Sequence, residues 1–553
     1  MFKNKLKKLP VGREDFKLLI EKDYYYVDKT SLIEELIITH DLVNLITRPR
    51  RFGKSLNLSM LQYFFEKSEQ DNAALFRDLK ISGNAEFLDE HMGKYPVISL
   101  SFMNAKQGTY QAAVESLGNA ITMEFRRHGE AVRQYPYRKK ADRILEGEDS
   151  DLILYQESLL LLSQILYEHY GERVILLIDE YDVPLESAYT GGYYNEMLDF
   201  IRSLLRSILK GNPCLEFAVL TGCLRLAKES VFTGLNNFST FSILNIPFSK
   251  YFGFSENEVK EMLDYYQLSD KMSEMRDWYD GYMIGESEIY NPWSVIKQVK
   301  SYLTDRNAPI SHWGNTSGNE IIRTLVDMAT YDTKQELELL LRGETLKKRI
   351  VEELIYDEVY SDLNNLWSFL FLTGYLTAGG IETVDGSRYA NLRIPNREIH
   401  YIYEDKIKSW FSERILDNGT RANLYQALVN RDSSQVQKII NEILLQSISY
   451  MDYSENYYHG ILIGLFSGTD YIVRSNREAG EGRYDIMIQA PDTWWTVIIE
   501  LKNAANRNEM EALSIAAVRQ IADKKYAAGI ADDNEVIHVG ISFYKKSCYV
   551  TIE

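Results

Sequence analysis

Residues 43–66, VNLITRPRRFGKSLNLSMLQYFFE, constrain the fold more than any other stretch. Residues 43–47 form a short apolar run of strand type, and residues 56–65 carry apolar side chains at helical spacing. Between them lies Arg48-Pro49-Arg50-Arg51-Phe52-Gly53-Lys54-Ser55. A strand, a turn ending in Gly-Lys-Ser and a helix together have the form of a phosphate-binding loop. In such a loop, backbone N–H groups at the helix start cradle phosphate oxygens. The Lys reaches the β/γ-phosphates and the Ser hydroxyl helps hold Mg²⁺. The first glycine of the usual pattern falls on Arg48. Gly-Lys-Ser recurs by chance, so the flanking strand and helix carry the reading. An ordinary strand–turn–helix with a basic turn is the plain alternative.

A second stretch strengthens the first. Residues 173–182 read RVILLIDEYD, with five apolar residues in a row at 174–178. Such a run marks a strand buried on both faces, as in a parallel sheet. In a phosphate-loop NTPase a strand of this kind places a carboxylate beside Mg²⁺, and a following Glu polarises the attacking water. Asp179 is then the metal-side carboxylate, next to Ser55, and Glu180 the base. Residues 217–222, FAVLTG, read as another buried strand with Thr221 at its end and Arg225 just beyond. A polar residue there senses the γ-phosphate, and an Arg offsets transition-state charge. The expected nucleotide set is Arg51, Gly53, Lys54, Ser55, Asp179, Thr221 and Arg225.

A chain of 553 residues is too long for one core, so two to four domains are expected. Its 62 basic and 80 acidic residues leave a net charge of −18, which argues against polyanion binding by the whole surface but leaves room for a local basic groove. The start, MFKNKLKKLPVG, is basic without an apolar segment behind it, so no secretory signal is read. No run of about 18 apolar residues suggests a membrane span. Cys214, Cys223 and Cys548 lack zinc-ligand spacing and read as reduced thiols. A cytoplasmic chain with no membrane partner is the expectation.

Residues 10–36 read either as a base-recognition segment or as a packing arm. Helices are expected at 152–169 and 195–209, and residues 129–150 read as an exposed connection. Residues 250–345 turn helix-rich. Residues 361–376 read as the core of a helical, winged-helix-like region, and 380–395 as a hairpin turning at Asp385-Gly386. Residues 397–449 read as helical.

Residues 454–467 read as a helix carrying Glu455. Two strands around a glycine-rich turn follow, the second holding Asp485; the next apolar strand ends in Glu500-Leu501-Lys502. Side chains alternate along a strand, so Glu500 and Lys502 share a face. Asp on one strand, Glu-x-Lys on the next and a helix after them is the PD-(D/E)XK pattern. Asp485 and Glu500 would hold Mg²⁺ or Mn²⁺, hard ions suited to oxygen ligands. Lys502 would orient or deprotonate a water, Glu455 would add an outer ligand, and Gln520 would position a strand of nucleic acid. His459 reads as a packing histidine, and Lys524 and Lys525 as a solvated face.

The combination of LPVGREDF, YYVDKT, ITRPRRFGKSLNLSML, VILLIDEYDVPL, LTGCLRLAKESVFTGLNN and YNPWS resembles the bacterial AAA-ATPase-like family. That resemblance spans nearly the whole chain and accommodates Arg48, since the RPRRFGKS loop is typical of the family. It implies an α/β P-loop core of AAA/STAND type with a helical lid and middle region. A C-terminal α/β restriction-endonuclease-like domain of the PD-(D/E)XK superfamily is implied after them. The expected layout is a core at 1–245, a lid at 246–345, a middle region at 346–430 and a nuclease-like domain at 431–553. The function expected is an ATPase coupled to a Mg-dependent phosphodiester hydrolase acting on DNA rather than RNA. The competing expectation is a STAND-like switch whose last domain binds a partner or nucleic acid without cutting it. AAA-type arginines often act across subunits, which leaves a homo-oligomer open.

Overall fold

The computed structural model describes residues 6–553 apart from 69, 148–150, 227–230, 233–234, 236, 305–307, 314–321, 323, 326–327, 329–330, 355, 360–361, 416–417, 447–457, 460–461, 464, 466–471, 480–481, 490–494, 528–529 and 531–533. It divides into two units: Met1–Gly318 with Thr345–Tyr401, and Asn319–Glu344 with Ile402–Glu553.

The first unit is built on five parallel strands: β1 (Val43–Thr47), β2 (Val97–Ser101), β3 (Val174–Asp179), β4 (Leu215–Gly222) and β5 (Phe238–Phe241). Their order is β2-β3-β4-β1-β5. Every residue of β1 and β3 is buried, which is why both strands are near-continuous runs of Val, Ile and Leu. Because β4 stands between β1 and β3, the C-terminal ends of all three open side by side. That is the end of a parallel sheet where ligands bind.

The expected helices appear as Leu152–Tyr170 and Tyr194–Leu209. Over residues 129–147 the structure differs from the exposed connection expected for 129–150. They hold two short helices, Gly129–Gln134 and Lys139–Glu146, with Ala131, Val132, Ala141 and Ile144 buried. The Thr122 hydroxyl donates to the Ile144 carbonyl at 3.0 Å. So few and such small apolar residues bury a face without raising the hydropathy of the stretch.

Beyond the sheet, helix Glu256–Tyr265 starts with a capping box of Ser255 and Glu258. Helix Met272–Tyr279, the hairpin β6 (Tyr282–Ile284) and β7 (Ser287–Ile289), and helix Pro292–Thr304 follow. The strands β8 (Leu346–Ile350), β9 (Thr377–Val384) and β10 (Ser387–Arg393) form a separate sheet in the order β8-β10-β9. The hairpin turns at Asp385-Gly386, both with positive φ (48° and 76°), as a type I′ turn requires.

The division into units departs from the expected boundaries. Residues 345–401 fold with the first unit because they are tied to it throughout. Leu226 bridges Leu354, the Thr377 hydroxyl accepts from the Met283 N–H at 3.0 Å, and the Asn396 amide donates to the Asp280 carbonyl at 2.6 Å. Residues 319–344 group with the second unit. There Lys546 pairs with Glu338 at 3.3 Å, on a helix, Tyr331–Leu341, whose Leu337 and Leu340 are buried.

The second unit carries a mixed sheet of β11 (Ile472–Ala479), β12 (Gly482–Gln489), β13 (Trp495–Asn503), β14 (Glu535–Tyr544) and β15 (Ser547–Ile552), in that order. Only the β13–β14 pair is parallel, joined across helix Met510–Asp523. Helices Asn418–Val429 and Ser433–Gln446 contribute Leu428, Val436 and Ile440 to the same core as Ile486, Val497 and Val539. Among the described residues no helix is long and apolar enough to cross a membrane.

Candidate nucleotide site and candidate nuclease centre

In the first unit the loop after β1 ends at Gly53, whose φ of 85° begins helix Lys54–Phe65 without a side-chain clash. Asp179 at the end of β3 accepts from two hydroxyls at once: Ser55 Oγ on Oδ2 and Thr221 Oγ1 on Oδ1, each at 2.5 Å. Asp179 and Thr221 come from the ends of the neighbouring strands β3 and β4, and Ser55 from the start of the helix that follows β1, so the strand order and the loop after β1 bring them together. Lys54 Nζ, almost wholly buried, donates to the carbonyls of Arg48 and Pro49 at 3.1 Å and lies 3.6 Å from the Cys223 sulfur.

Arg48 takes the position of the usual glycine without entering the loop. Its guanidinium is fully buried beneath it, donating at 2.8 Å to the carbonyls of Thr47 and Phe241 and lying over the Phe252 ring. Burial pushes it down to about 9. Arg50 pairs with Glu186 at 2.6 Å. Arg51 has a positive φ of 70° and stacks its guanidinium 4.1 Å above the Trp293 ring. Glu180 also has positive φ, 53°. A left-handed non-glycine residue costs about 1 kcal/mol or more, and both lie at the same site. Burial, then the neighbouring Asp179, hold the Glu180 carboxyl above its ordinary value.

Asp182, missed by sequence reasoning, is buried and fixes the loop after β4. Its Oδ2 accepts from the Cys223 and Leu224 N–H groups at 2.8 and 3.0 Å, while the Tyr181 hydroxyl donates to the Leu224 carbonyl at 2.7 Å. Gly222 is glycine because a Cβ there would lie 2.6 Å from the Tyr181 ring. The signal available was a second acid two residues past the Asp-Glu pair.

These groups open into a cavity of about 540 Å³. Its polar end holds Gly53, Lys54, Ser55 and Glu180; its apolar wall is Tyr25, Tyr26, Val27, Phe254, Trp293 and Ile296. Residues 10–27 therefore line the cavity, and Lys29 ties that segment to the capping-box helix through a buried pair with Glu258 at 2.7 Å. Thr221 stays beneath the cavity on Asp179. Arg225 is not brought to the cavity: it pairs with Glu353 at 2.5 Å.

In the second unit β12 and β13 pair in the register Ile486↔Ile499, so one further step along the ladder sets Asp485 abreast of Glu500. There Asp485 Oδ2 accepts from the Leu501 N–H at 2.8 Å. Glu500 is buried, with Lys502 Nζ 3.0 Å from its Oε1. Gln520, on the following helix, donates to that same oxygen rather than pointing away from it, and contacts the Tyr526 hydroxyl at 3.2 Å. His459 Nε2 lies 3.1 Å from the Asp485 carbonyl, which satisfies it next to the centre. Glu455 lies outside the described residues.

The donor sets fit Mg²⁺. Among the described residues no three His, Cys, Asp or Glu side chains group as a metal site. The donors are instead a carboxylate with hydroxyls in the first unit and two neighbouring carboxylates in the second. Mg²⁺ commonly takes one or two carboxylates and fills its shell with water and phosphate oxygens.

A curated protein of Azotobacter chroococcum mcd 1, an "uncharacterized protein in vnfD 5'region", is 26% identical over 557 residues, covering 98% of this chain and 97% of that one. The Aeropyrum pernix ORC2 protein, solved in ADPNP-ADP complexes, aligns at TM-score 0.26 and 12% identity over 73% of this chain and 97% of that one. At that score it carries no argument, and the strand order above is what defines the fold. Residues 10–232 match the family model described as "Predicted AAA-ATPase", and residues 453–553 that of the "PD-(D/E)XK nuclease superfamily". The chain thus joins an AAA-ATPase-like segment with an α/β P-loop core to a C-terminal segment of the PD-(D/E)XK nuclease superfamily.

Proposed function

We propose that the first unit binds and hydrolyses ATP with Mg²⁺, and that the second unit cleaves DNA with Mg²⁺ or Mn²⁺ under control of the nucleotide state. The observation that carries the reading is Asp179 holding the Ser55 and Thr221 hydroxyls beside the cavity that contains Lys54. Ser55 and Asp179 would hold the ion, directly or through water, which screens phosphate charge when bound. Lys54 exchanges its loop carbonyls for phosphate oxygens. Glu180, its carboxyl already raised by burial and then by Asp179, takes a proton from the attacking water. The aromatic wall takes the base.

In the second unit Asp485 and Glu500 would hold the ion that polarises the phosphodiester. Gln520 and Lys502 both bond to Oε1 of the Glu500 carboxylate, and Lys502 then faces the scissile phosphate or its water. Sequence preference is left open, as no base-reading element stands out.

The test is cleavage of linear, circular and single-stranded DNA with Mg²⁺ or Mn²⁺, with and without ATP, beside Lys54→Ala and Lys502→Ala. Cleavage lost in Lys502→Ala and altered in Lys54→Ala is expected. ATP hydrolysis with no cleavage under any condition would overturn the nuclease half.

A further inference from the structure

Hydrolysis at this site needs a cation on the transferring phosphate, and Arg225 is engaged elsewhere, on Glu353. We propose that Arg13 supplies that cation from within the same chain, contacting the terminal phosphate of a nucleotide bound at Lys54. The proposal rests on the nucleotide-site reading above.

Arg13 lines the cavity that holds Gly53, Lys54, Ser55 and Glu180. It is anchored on both sides. Its N–H donates to the Pro10 carbonyl at 3.2 Å and closes a turn, and two residues later Asp15 caps helix Phe16–Glu21. That helix is bolted to the phosphate-loop helix: the Phe16 N–H donates to Ser59 Oγ at 3.0 Å, and the Tyr63 hydroxyl to Asp15 Oδ2 at 3.0 Å. The segment therefore keeps its place relative to Lys54.

The other arginines of the cavity wall are committed, and of its lysines Lys106 is, among the described residues, an unpaired point charge without the planar fork that matches phosphoryl oxygens. Lys29 is held by Glu258, Arg50 by Glu186, and Arg51 by the Trp293 ring. Arg13 has no ion pair among the described residues, and it is exposed, free to swing onto a ligand. In the step it serves, the water oxygen bonds to the terminal phosphorus as the bond to the bridging oxygen breaks. Glu180 takes the water proton, ADP and phosphate leave, and Arg13 offsets charge on the phosphoryl oxygens.

The experiment measures Mg²⁺-dependent ATP hydrolysis, ADP affinity and affinity for ADP with aluminium fluoride on the full chain. For Arg13→Ala, kcat should fall about 10²-fold while KM and ADP affinity hold, and the aluminium fluoride complex should weaken in parallel with kcat. Arg13→Lys should recover part of the loss. Mixing Arg13→Ala with Lys54→Ala should restore nothing, since the cation acts within its own chain. Unchanged kcat, ADP affinity falling in step with kcat, or activity recovered on mixing would each overturn the assignment. A wild type that binds no ADP and hydrolyses no ATP would instead remove the nucleotide-site reading itself, and the assignment with it.

Discussion

The two candidate centres use the same ingredients, a carboxylate on a strand and a lysine, but assemble them differently. In the first unit the cavity draws on residues from Pro10 to Ile296, and Lys54 is kept off Asp179 by the carbonyls of its own loop. In the second, Asp485, Glu500, Lys502 and Gln520 sit on two paired strands and the next helix, and Lys502 touches Glu500 directly. A site gathered from distant segments depends on whatever holds those segments together. A site on adjacent strands depends on little beyond its own side chains. Remote substitutions should therefore damage the nucleotide site and spare the nuclease centre.

The largest expected effects are local to each centre. Lys502→Ala should lower DNA cleavage by about 10²- to 10³-fold while leaving ATP hydrolysis unchanged, because it removes the cation beside Glu500. Steady-state assays of both activities on one preparation check it. Loss of ATP hydrolysis in that variant would show that Lys502 acts beyond the nuclease centre.

Next comes a tie in the wall of the nucleotide cavity. Lys29 and Glu258 form a buried pair, with side chains 7% and 17% exposed, and burial pulls the lysine below its ordinary value despite Glu258. Lys29→Ala leaves a desolvated carboxylate beside the capping box and should cost about 3–5 kcal/mol, with weaker ADP binding. Denaturant titration and calorimetry measure both. An ADP affinity equal to wild type would mean that the 10–29 segment holds its place without this pair.

Lys29 also shows what the sequence withholds. The parallel core was legible because fully buried strands are apolar runs; Asp179 and Thr221 could be placed because they end such strands, and Ser55 because it opens the helix after the loop that follows β1. That Glu500 and Lys502 share a face was legible from alternation along β13, and Asp485 from its place on the strand before it. Arg48 read as a gap in a glycine pattern, since nothing local tells that a guanidinium can lie beneath the loop on two carbonyls. Arg225 read as a phosphate contact because strand-end position is local, whereas its pairing with Glu353, 128 residues on, is not. Residues 129–150 read as exposed because four small apolar side chains bury two short helices without altering the composition. The division between units escaped for the same reason: hydropathy marks helices, but not which core they join.

A third tie is sensitive to pH. Glu398 is fully buried, accepting from the His312 and Trp313 N–H groups at 2.6 and 2.9 Å, and burial raises its carboxyl from an ordinary 4.5 to about 7. The folded state thus favours the protonated form. Stability from this group is present below pH 4.5 and is lost as pH rises through about 7. The loss amounts to about 3 kcal/mol. Glu398→Gln keeps an acceptor for the two N–H groups and should flatten that fall, so the variant gains on wild type between those pH values. Stability curves at pH 4.5 and 8 decide it, and parallel slopes would place the proton elsewhere.

The smallest effect provides the control for the second unit. Arg431 and Glu535 pair at 2.6 Å across 104 residues, linking the end of helix Asn418–Val429 to the start of β14. In sequence separation this tie resembles Lys29–Glu258, so distance along the chain alone would rank them together. Exposure separates them: the Arg431 and Glu535 side chains are 47% and 65% exposed. Water already solvates both charges, salt screens their attraction, and ordering two long side chains offsets most of the gain. Arg431→Ala should therefore change stability by no more than about 1 kcal/mol, shrinking further in high salt, with cleavage unchanged. A larger loss, or one insensitive to salt, would show that the nuclease centre leans on remote ties as the nucleotide site does, and the contrast between the two assemblies would have to be drawn from burial alone.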